Sequence, residues 1–402
     1  MEMEYAEILH RCFRCGYCKF PDNYTDLNCP SYLKFRFETY SPGGRMWLLR
    51  GLLNGDLSPS ERMQEILFSC ATCGNCVEHC AMTGFKDKLL LAFTAGKEML
   101  VQAGHVPPSL RDYLTPLQTH GNPYKQSPGK RDAWVNGSNV EPFTDQEYLF
   151  FIGDVGSYDP RGQAMARSVA DLLNHLDVSF GILGSREVSD GNDARAAGER
   201  DLFEYLAAKN INHFQEAGVS KIITLSPHGF HALKNEYPLL GGKFQVFHYT
   251  QLLSLLFEKL HFRTEQTQPV RICYHDPCYL GRHNQEFFAA RSVLSRLPGV
   301  KLVEMDRNMK NALCCGGGGA NFFTGILGSG KDAPANARVR EAAETGAQIL
   351  AVACPLCANM LEDAIRVENL EDRLQVKEIS EIIRERLVSE SHPEKIGISG
   401  KE

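Results

Sequence analysis

From Glu147 onward the chain alternates between two hydrophobic rhythms. Short, nearly unbroken apolar runs at Tyr148 to Ile152, Lys221 to Leu225, Val270 to Tyr274 and Ile349 to Ala353 predict strands. Helical spacing over Ala164 to Leu176 and Asp201 to Ala217 predicts helices between them. That alternation argues for α/β units on mostly parallel sheets. Upstream the pattern differs. Ser58-Pro59-Ser60-Glu61 reads as an N-cap, a proline at the first helical position and a capping-box glutamate, opening a short helix through Met63, Ile66 and Leu67. The apolar period from Phe85 to Ala103, closed by Gly104, predicts a helix of about five turns that ends the first domain. Residues 105–146 carry prolines at 107, 108, 116, 123, 128 and 142 with little periodicity, which predicts an extended linker. Ser389 to Glu402 is polar and reads as a flexible tail.

The α/β region contains an internal repeat. Asp154 aligns with Cys278, Ser189 with Cys314 and Ser226 with Cys354, at nearly constant offsets of 124, 125 and 128 residues. Residues 147–265 and 266–388 therefore read as two copies of one fold, following a first domain at 1–104 and the linker at 105–146. Composition narrows the class. At 402 residues the chain is too long for one ordinary domain. A balance of 43 basic against 49 acidic residues supplies no positive field for nucleic acid. The first ten residues carry Glu2, Glu4 and Glu7 and no signal-peptide pattern, and no apolar run approaches the roughly 18 to 20 residues of a membrane span. A cytoplasmic protein with no direct membrane span is expected, and in that reducing setting 14 cysteines point to metal or redox chemistry.

The cysteines fall in two blocks, Cys12 to Cys80 and Cys273 to Cys357. In the first, Cys12-x2-Cys15-x2-Cys18 with Cys29-Pro30, and Cys70-x2-Cys73-x2-Cys76-x3-Cys80, resemble the two ligand runs of a bacterial-type ferredoxin. The resemblance implies one cubane 4Fe-4S cluster on Cys12, Cys15, Cys18 and Cys80 and a second on Cys70, Cys73, Cys76 and Cys29, with Gly16 and Gly74 admitting close backbone approach. The ten residues between Cys18 and Cys29, and Ala81 after Cys80, depart from that pattern. Zinc ribbons built from paired CxxC units are the alternative.

In the second block Cys278, Cys314-Cys315 and Cys354-x2-Cys357 resemble the cysteine-rich CCG domain of heterodisulfide reductase catalytic subunits. The resemblance implies a non-cubane 4Fe-4S centre on those five thiolates, at strand ends of a Rossmann-like fold. Gly316 to Gly319 would allow close backbone approach and N–H donors to sulfide, phosphate binding being the other use of such a run. Cys273 lies outside the pattern and reads as a buried strand residue. His275, Asp276, Tyr279 and His283 are candidate proton donors, or in the case of His275 and Asp276 caps of a turn. In the first copy Asp154, Ser189, Asp190, Ser226 and Gly229 replace the thiolates, so no cluster is expected there. A mononuclear metal at Asp154, Asp190 and His228 is an alternative, and His228 and His231 are placed near the wall of a cleft.

The layout resembles the fused heterodisulfide reductase D type, similar to electron-transfer subunits of class II benzoyl-CoA reductase complexes. The resulting expectation is α+β overall: a helical ferredoxin-like two-cluster domain, then two Rossmann-like CCG domains related by duplication. It implies an electron-transfer subunit whose partners are a flavoprotein of heterodisulfide reductase A type or an electron-transfer flavoprotein, ferredoxin-like subunits, or a quinone-linked membrane module. A stand-alone disulfide reductase and a zinc-bound scaffold are the alternatives.

Overall fold

The computed structural model describes residues 3–22, 26–263 and 269–388; the tail expected at 389–402 lies outside them. The amino-terminal region is helical: α1 (Met3–Arg11), α2 (Pro30–Phe35), α3 (Pro42–Leu53), α4 (Glu61–Phe68), α5 (Asn75–His79) and α6 (Leu89–Gln102). Helix α4 starts later than the sequence predicts, because Ser60, not Ser58, is its cap and accepts from the Met63 N–H at 3.2 Å. The predicted helix from Phe85 is split, since a 3-10 turn at Lys86–Lys88 precedes α6.

The expected extended linker is a correction. It contains α7 (Pro108–His120), a 13-residue helix with Pro108 in its first turn, where a missing N–H costs nothing. Leu110, Tyr113, Leu114 and Leu117 form its buried stripe, Pro116 lies on that face, and Gly121 ends it in a left-handed conformation. Tyr113 stacks on Phe323 at 4.8 Å, which fastens this helix to the far end of the chain.

Two four-stranded parallel sheets follow. In the first, β1 (Tyr148–Phe151), β2 (Phe180–Gly181), β3 (Lys221–Thr224) and β4 (Gln245–His248) lie in the order β2-β1-β3-β4. In the second, β5 (Val270–Tyr274), β6 (Val300–Leu302), β7 (Ile349–Val352) and β8 (Gln375–Glu378) lie in the order β6-β5-β7-β8. Leu149 sits opposite Ile222 and Ile272 opposite Ile349, so the central pairs join buried apolar strands, as sheets covered on both faces require. Arg161 bridges the two halves, its Nε 2.6 Å from Glu362 and its Nη2 2.8 Å from Glu381. Asp193 accepts from the Ala320 N–H at 3.2 Å across the same seam.

Candidate metal centres

The loop after α1 and the end of α5 meet around one small apolar cavity. Cys12, Cys15, Cys18 and Cys80 line it with Pro42, Met46 and Phe85. Cys15 is exposed and the other three half-buried. A second cavity is lined by Cys29, Cys70, Cys73 and Cys76, beside Arg45 and Phe93. Each cavity thus draws three thiols from one cysteine run and one from the other, and Cys18 borders both. Gly16 and Gly74 take left-handed conformations, φ 90° and 78°, which turn the thiol-bearing loops inward. All four thiols of the inner cavity are buried. An all-thiol lining is the donor set that iron-sulfur clusters select.

The third group lies where β5 and β7 end, at the carboxyl edge of adjacent parallel strands. Cys314 and Cys278 Sγ are 3.8 Å apart, Cys315 and Cys357 Sγ 3.4 Å apart, and Cys354 caps the helix Pro355–Val367 that carries Cys357. Hydrogen bonds from Cys314 and Cys357, with His275 close by, hold the Cys315 thiol well below its ordinary range. Burial pushes the Cys354 thiol up, yet the hydrogen bond from Cys357 and the charge of His228 bring it below its usual value. Cys314 and Cys357, the partners that stabilise them, are pushed well above the usual value, so within the set Cys315 and Cys354 favour the thiolate, the form that binds metal. Cys314, ahead of burial, raises the Cys73 pKa. The loop carrying the inner thiols meets the second half where Arg282 Nε donates to the Cys73 carbonyl at 2.7 Å.

The other expected residues take varied roles. His275, Cys315 and Cys357 bring donor atoms within 4.8 Å of one another. Arg338 Nε donates to His275 Nδ1 at 3.2 Å, which leaves the proton of the neutral ring on Nε2, a buried atom with no partner among the described residues. Asp276 is committed elsewhere: Arg291 grips both its oxygens at 2.5 and 2.9 Å and the Met309 N–H adds a third bond at 2.9 Å. That geometry engages both Asp276 oxygens and suits a structural role. Cys273 is fully buried on β5, its Sγ 3.7 Å from the Ile349 carbonyl. Gly318 and Gly319 approach the Ala71 and Cys70 carbonyls so closely that a Cβ would lie 2.5 and 2.6 Å from them. The glycine run thus closes the second half onto the loop carrying the inner thiols.

In the first half Asp154, Ser189, Asp190, Asp193, Ser226 and His228 line a small cavity. Burial and the neighbouring Asp154 raise the Asp190 carboxyl to about 7. Burial alone would keep His228 neutral, but Asp193 carries it to about 9. Among the described residues Asp154, Asp190 and His228 do not bring three donor atoms together as His275, Cys315 and Cys357 do, which counts against the mononuclear metal. Between the three parts of the chain opens a cleft of about 580 Å³, whose inner end is formed by Thr72, Gly74, His231, Tyr279, Arg282 and His283. Tyr279 and His283 stack at 4.2 Å, and burial lowers the His283 pKa to about 4. Sequence reasoning missed Thr72, whose hydroxyl bonds Tyr279 at 2.9 Å and whose carbonyl faces His283 Nε2 at 2.7 Å. It also missed Arg45, Lys97 and Arg282. Lys97 carried a signal, because it falls on the apolar stripe of α6 between Phe93 and Leu100.

Thiol sets of this kind, at strand ends and in a helical two-run domain, define an iron-sulfur electron-transfer protein. The model of the CCG cysteine-rich domain matches residues 150–234 and 272–362, and that of a 4Fe-4S dicluster domain matches residues 8–83. The D-type component of the dihydromethanophenazine:CoB–CoM heterodisulfide reductase of Methanosarcina barkeri is 33% identical over 400 residues, covering 94% of both chains. The chain belongs to this CCG-domain iron-sulfur oxidoreductase family, which includes the D-type component of heterodisulfide reductase. The probable iron-sulfur-binding oxidoreductase FadF of Bacillus subtilis is 33% identical over 80% of this chain and 46% of its own length. The EtfAB:quinone oxidoreductase of Syntrophomonas wolfei is 27% identical over 93% of this chain and 58% of its own. The chain thus spans about half the length of those two relatives. A hypothetical protein from Helicobacter pylori shares the fold, with a TM-score of 0.55 at 11% identity over 89% of this chain and 70% of that one.

Proposed function

We propose that the chain is an electron-relay subunit holding two cubane 4Fe-4S clusters, on Cys12, Cys15, Cys18 and Cys80 and on Cys29, Cys70, Cys73 and Cys76, and a non-cubane 4Fe-4S centre on Cys278, Cys314, Cys315, Cys354 and Cys357. When bound, such groups supply one-electron transfer. The packing of the inner-thiol loop on the second half carries this reading: Arg282, four residues after Cys278, donates to the Cys73 carbonyl at 2.7 Å, and Gly318 lies against the Ala71 carbonyl. Arg338, by fixing the His275 tautomer, keeps the ring proton on Nε2, and the ring has a donor atom within 4.8 Å of Cys315 and Cys357. Tyr279, His231 and His283 place neutral hydrogen-bonding groups at the inner end of the cleft, where a partner's flavin, a quinone or a thiol/disulfide couple would meet the electrons. The duplication of 147–265 and 266–388 belongs to the same proposal, supported by the like strand order of the two sheets. The first half then keeps the scaffold and, with oxygen donors in place of sulfur, holds no cluster. Among the described residues no helix is long and apolar enough to cross a membrane. Fourteen cysteines, all free, fit the reducing cytoplasm.

A second reading, disulfide reduction, is favoured by the cleft beside Tyr279. There two electrons and two protons would convert one disulfide to two thiols, with Tyr279, His231 and His283 as neutral hydrogen-bonding groups around it and the protons coming from solvent in the cleft. The deciding measurement is iron and acid-labile sulfide on anaerobically purified protein, with EPR. About twelve iron atoms per chain, and a signal lost in Cys314→Ala while the cubane signals persist, is the expected result. About eight iron atoms in fully loaded protein would remove the third centre from the proposal.

A further inference from the structure

Around the inner thiol cavity stand three buried cations that nothing nearby neutralises. Arg45 is 1% exposed, Lys97 0% and Arg282 6%. Arg45 donates to the Ile66 and Tyr40 carbonyls at 2.9 and 2.8 Å and to the Ser31 and Ser69 hydroxyls at 2.8 and 3.0 Å. Lys97 donates to the Cys70 and Ala196 carbonyls at 3.2 and 3.0 Å. Arg282 donates to the carbonyls of Cys73, Ala312 and Lys310 at 2.7, 2.5 and 3.4 Å, and its Nη2 is buried with no partner. Every one of these acceptors is neutral. Among the described residues no carboxylate lies within 4.0 Å of any of the three, although Lys97 feels Asp193 and Arg282 feels Asp276 at longer range. Elsewhere this chain pairs its buried cations: Arg131 with Asp154 and Glu187, Arg291 with Asp276 and Glu304, Arg338 with Glu341. Leaving three unpaired in one neighbourhood breaks the rule that a buried charge needs its opposite. The groups they face are thiols: burial raises the Cys29 thiol and Arg45 opposes that rise, Cys314 and burial raise the Cys73 thiol and Arg282 opposes it, and burial lowers Lys97 to about 8 with Cys70 working against it.

We infer that Arg45, Lys97 and Arg282 form a fixed cationic cage for an anionic group in the inner cavity, and that the cage makes this cavity the station where electrons collect. The inference rests on the cluster assignment proposed above. A cluster held by four thiolates gains one negative charge on reduction, and fixed cations at close range in a low-dielectric interior favour the more negative state. The outer cavity has no such cage. Its thiols Cys12 and Cys80 feel Arg14, which is exposed, and Lys86, which is half-buried, where water and salt screen the charge. Arg282 also faces Cys278 and Cys314, so one of the three cations is shared with the third group.

The test is an EPR-monitored redox titration of the full chain, with Cys15→Ser marking the outer signal. In the unaltered protein the inner signal titrates above the outer one. Lys97→Met lowers the inner reduced-to-oxidised ratio at fixed potential at least tenfold, equivalent to about 59 mV for one electron, and leaves the outer and third signals in place. Arg282→Met shifts the inner and third signals together, and Arg282→Lys restores them. An inner signal below the outer one, or one unmoved by both charge-removing variants, overturns the cage. Should the methionine variants fail to retain the inner cluster, Lys97→Arg and Arg282→Lys decide: retention supports a charge requirement, and loss in these too overturns it. Unaltered protein lacking the inner signal altogether would sink the cluster assignment instead.

Discussion

The seam between the glycine run and the inner thiol loop can be tested by adding one methyl group. A Cβ at Gly318 would lie 2.5 Å from the Ala71 carbonyl oxygen and 3.5 Å from the Tyr279 ring. The obstructing atom is backbone, so no rotamer change relieves it, and the oxygen must retreat by roughly 1 Å to reach an ordinary contact near 3.5 Å. Overpacking of this kind costs about 2 to 3 kcal/mol. At about 2 to 4 °C per kcal/mol, Gly318→Ala should lower the melting temperature by roughly 5 to 10 °C. Gly84→Ala is the control, because a Cβ there meets nothing within 4 Å and the position needs no left-handed backbone. Its effect should be neutral, or a gain of up to about 1 kcal/mol through the unfolded chain. Thermal melts of anaerobic, iron-loaded protein followed by circular dichroism give the comparison, and iron counts show whether the displaced loop still holds its metal. Equal melting temperatures for the two variants would refute the close approach of the second half to the Cys70 loop.

Asp276→Asn should cost about 1.5 to 3 kcal/mol, the worth of a hydrogen bond to a charged group, and leave the pH profile of electron transfer per iron unchanged; a displaced profile would restore Asp276 as a proton donor. Cys273→Ala should leave iron and sulfide content untouched while costing about 1 kcal/mol of buried contact, read from denaturant melts. Burial holds the His283 pKa near 4, below its ordinary value of 6.5. The unfolded chain therefore takes up a proton between those values while the folded one does not, and stability falls as pH drops from about 6.5 to about 4. Urea titrations across that window should show His283→Gln to be less acid-sensitive, by roughly 3 kcal/mol at the acid end.

How far the sequence could be read depended on whether a signal was local. β5 and β7 were legible because a buried parallel strand leaves an unbroken apolar run, and Val270 to Tyr274 is bounded as expected. The cysteine spacings were legible for the same reason, since each loop carries three of its thiols in a short run. Helix α7 was hidden because its prolines outweighed the stripe Leu110, Tyr113, Leu114 and Leu117, although Pro108 at the start of a helix is a favourable signal. Ser58 and Ser60 offer the same capping chemistry two residues apart, and only the Met63 bond distinguishes them. The hydrogen bond from Arg282 to the Cys73 carbonyl depends on how separate units meet, which no spacing within either unit encodes. Lys97 stood in the apolar stripe of α6, where a lone cation signals a buried anionic neighbour.

Of the thirteen cysteines assigned to clusters, Cys15 alone is exposed, while the inner and third sets are buried throughout. A peroxide or oxygen molecule arriving from solvent therefore meets the outer rim first, and oxidative attack follows thiolate character and access. On the cluster assignment proposed above, the rim would act as a fuse, taking the first damage while the buried centres are spared. Brief air exposure should accordingly leave a protein that has lost one cluster's iron and is restored by reloading that cluster alone.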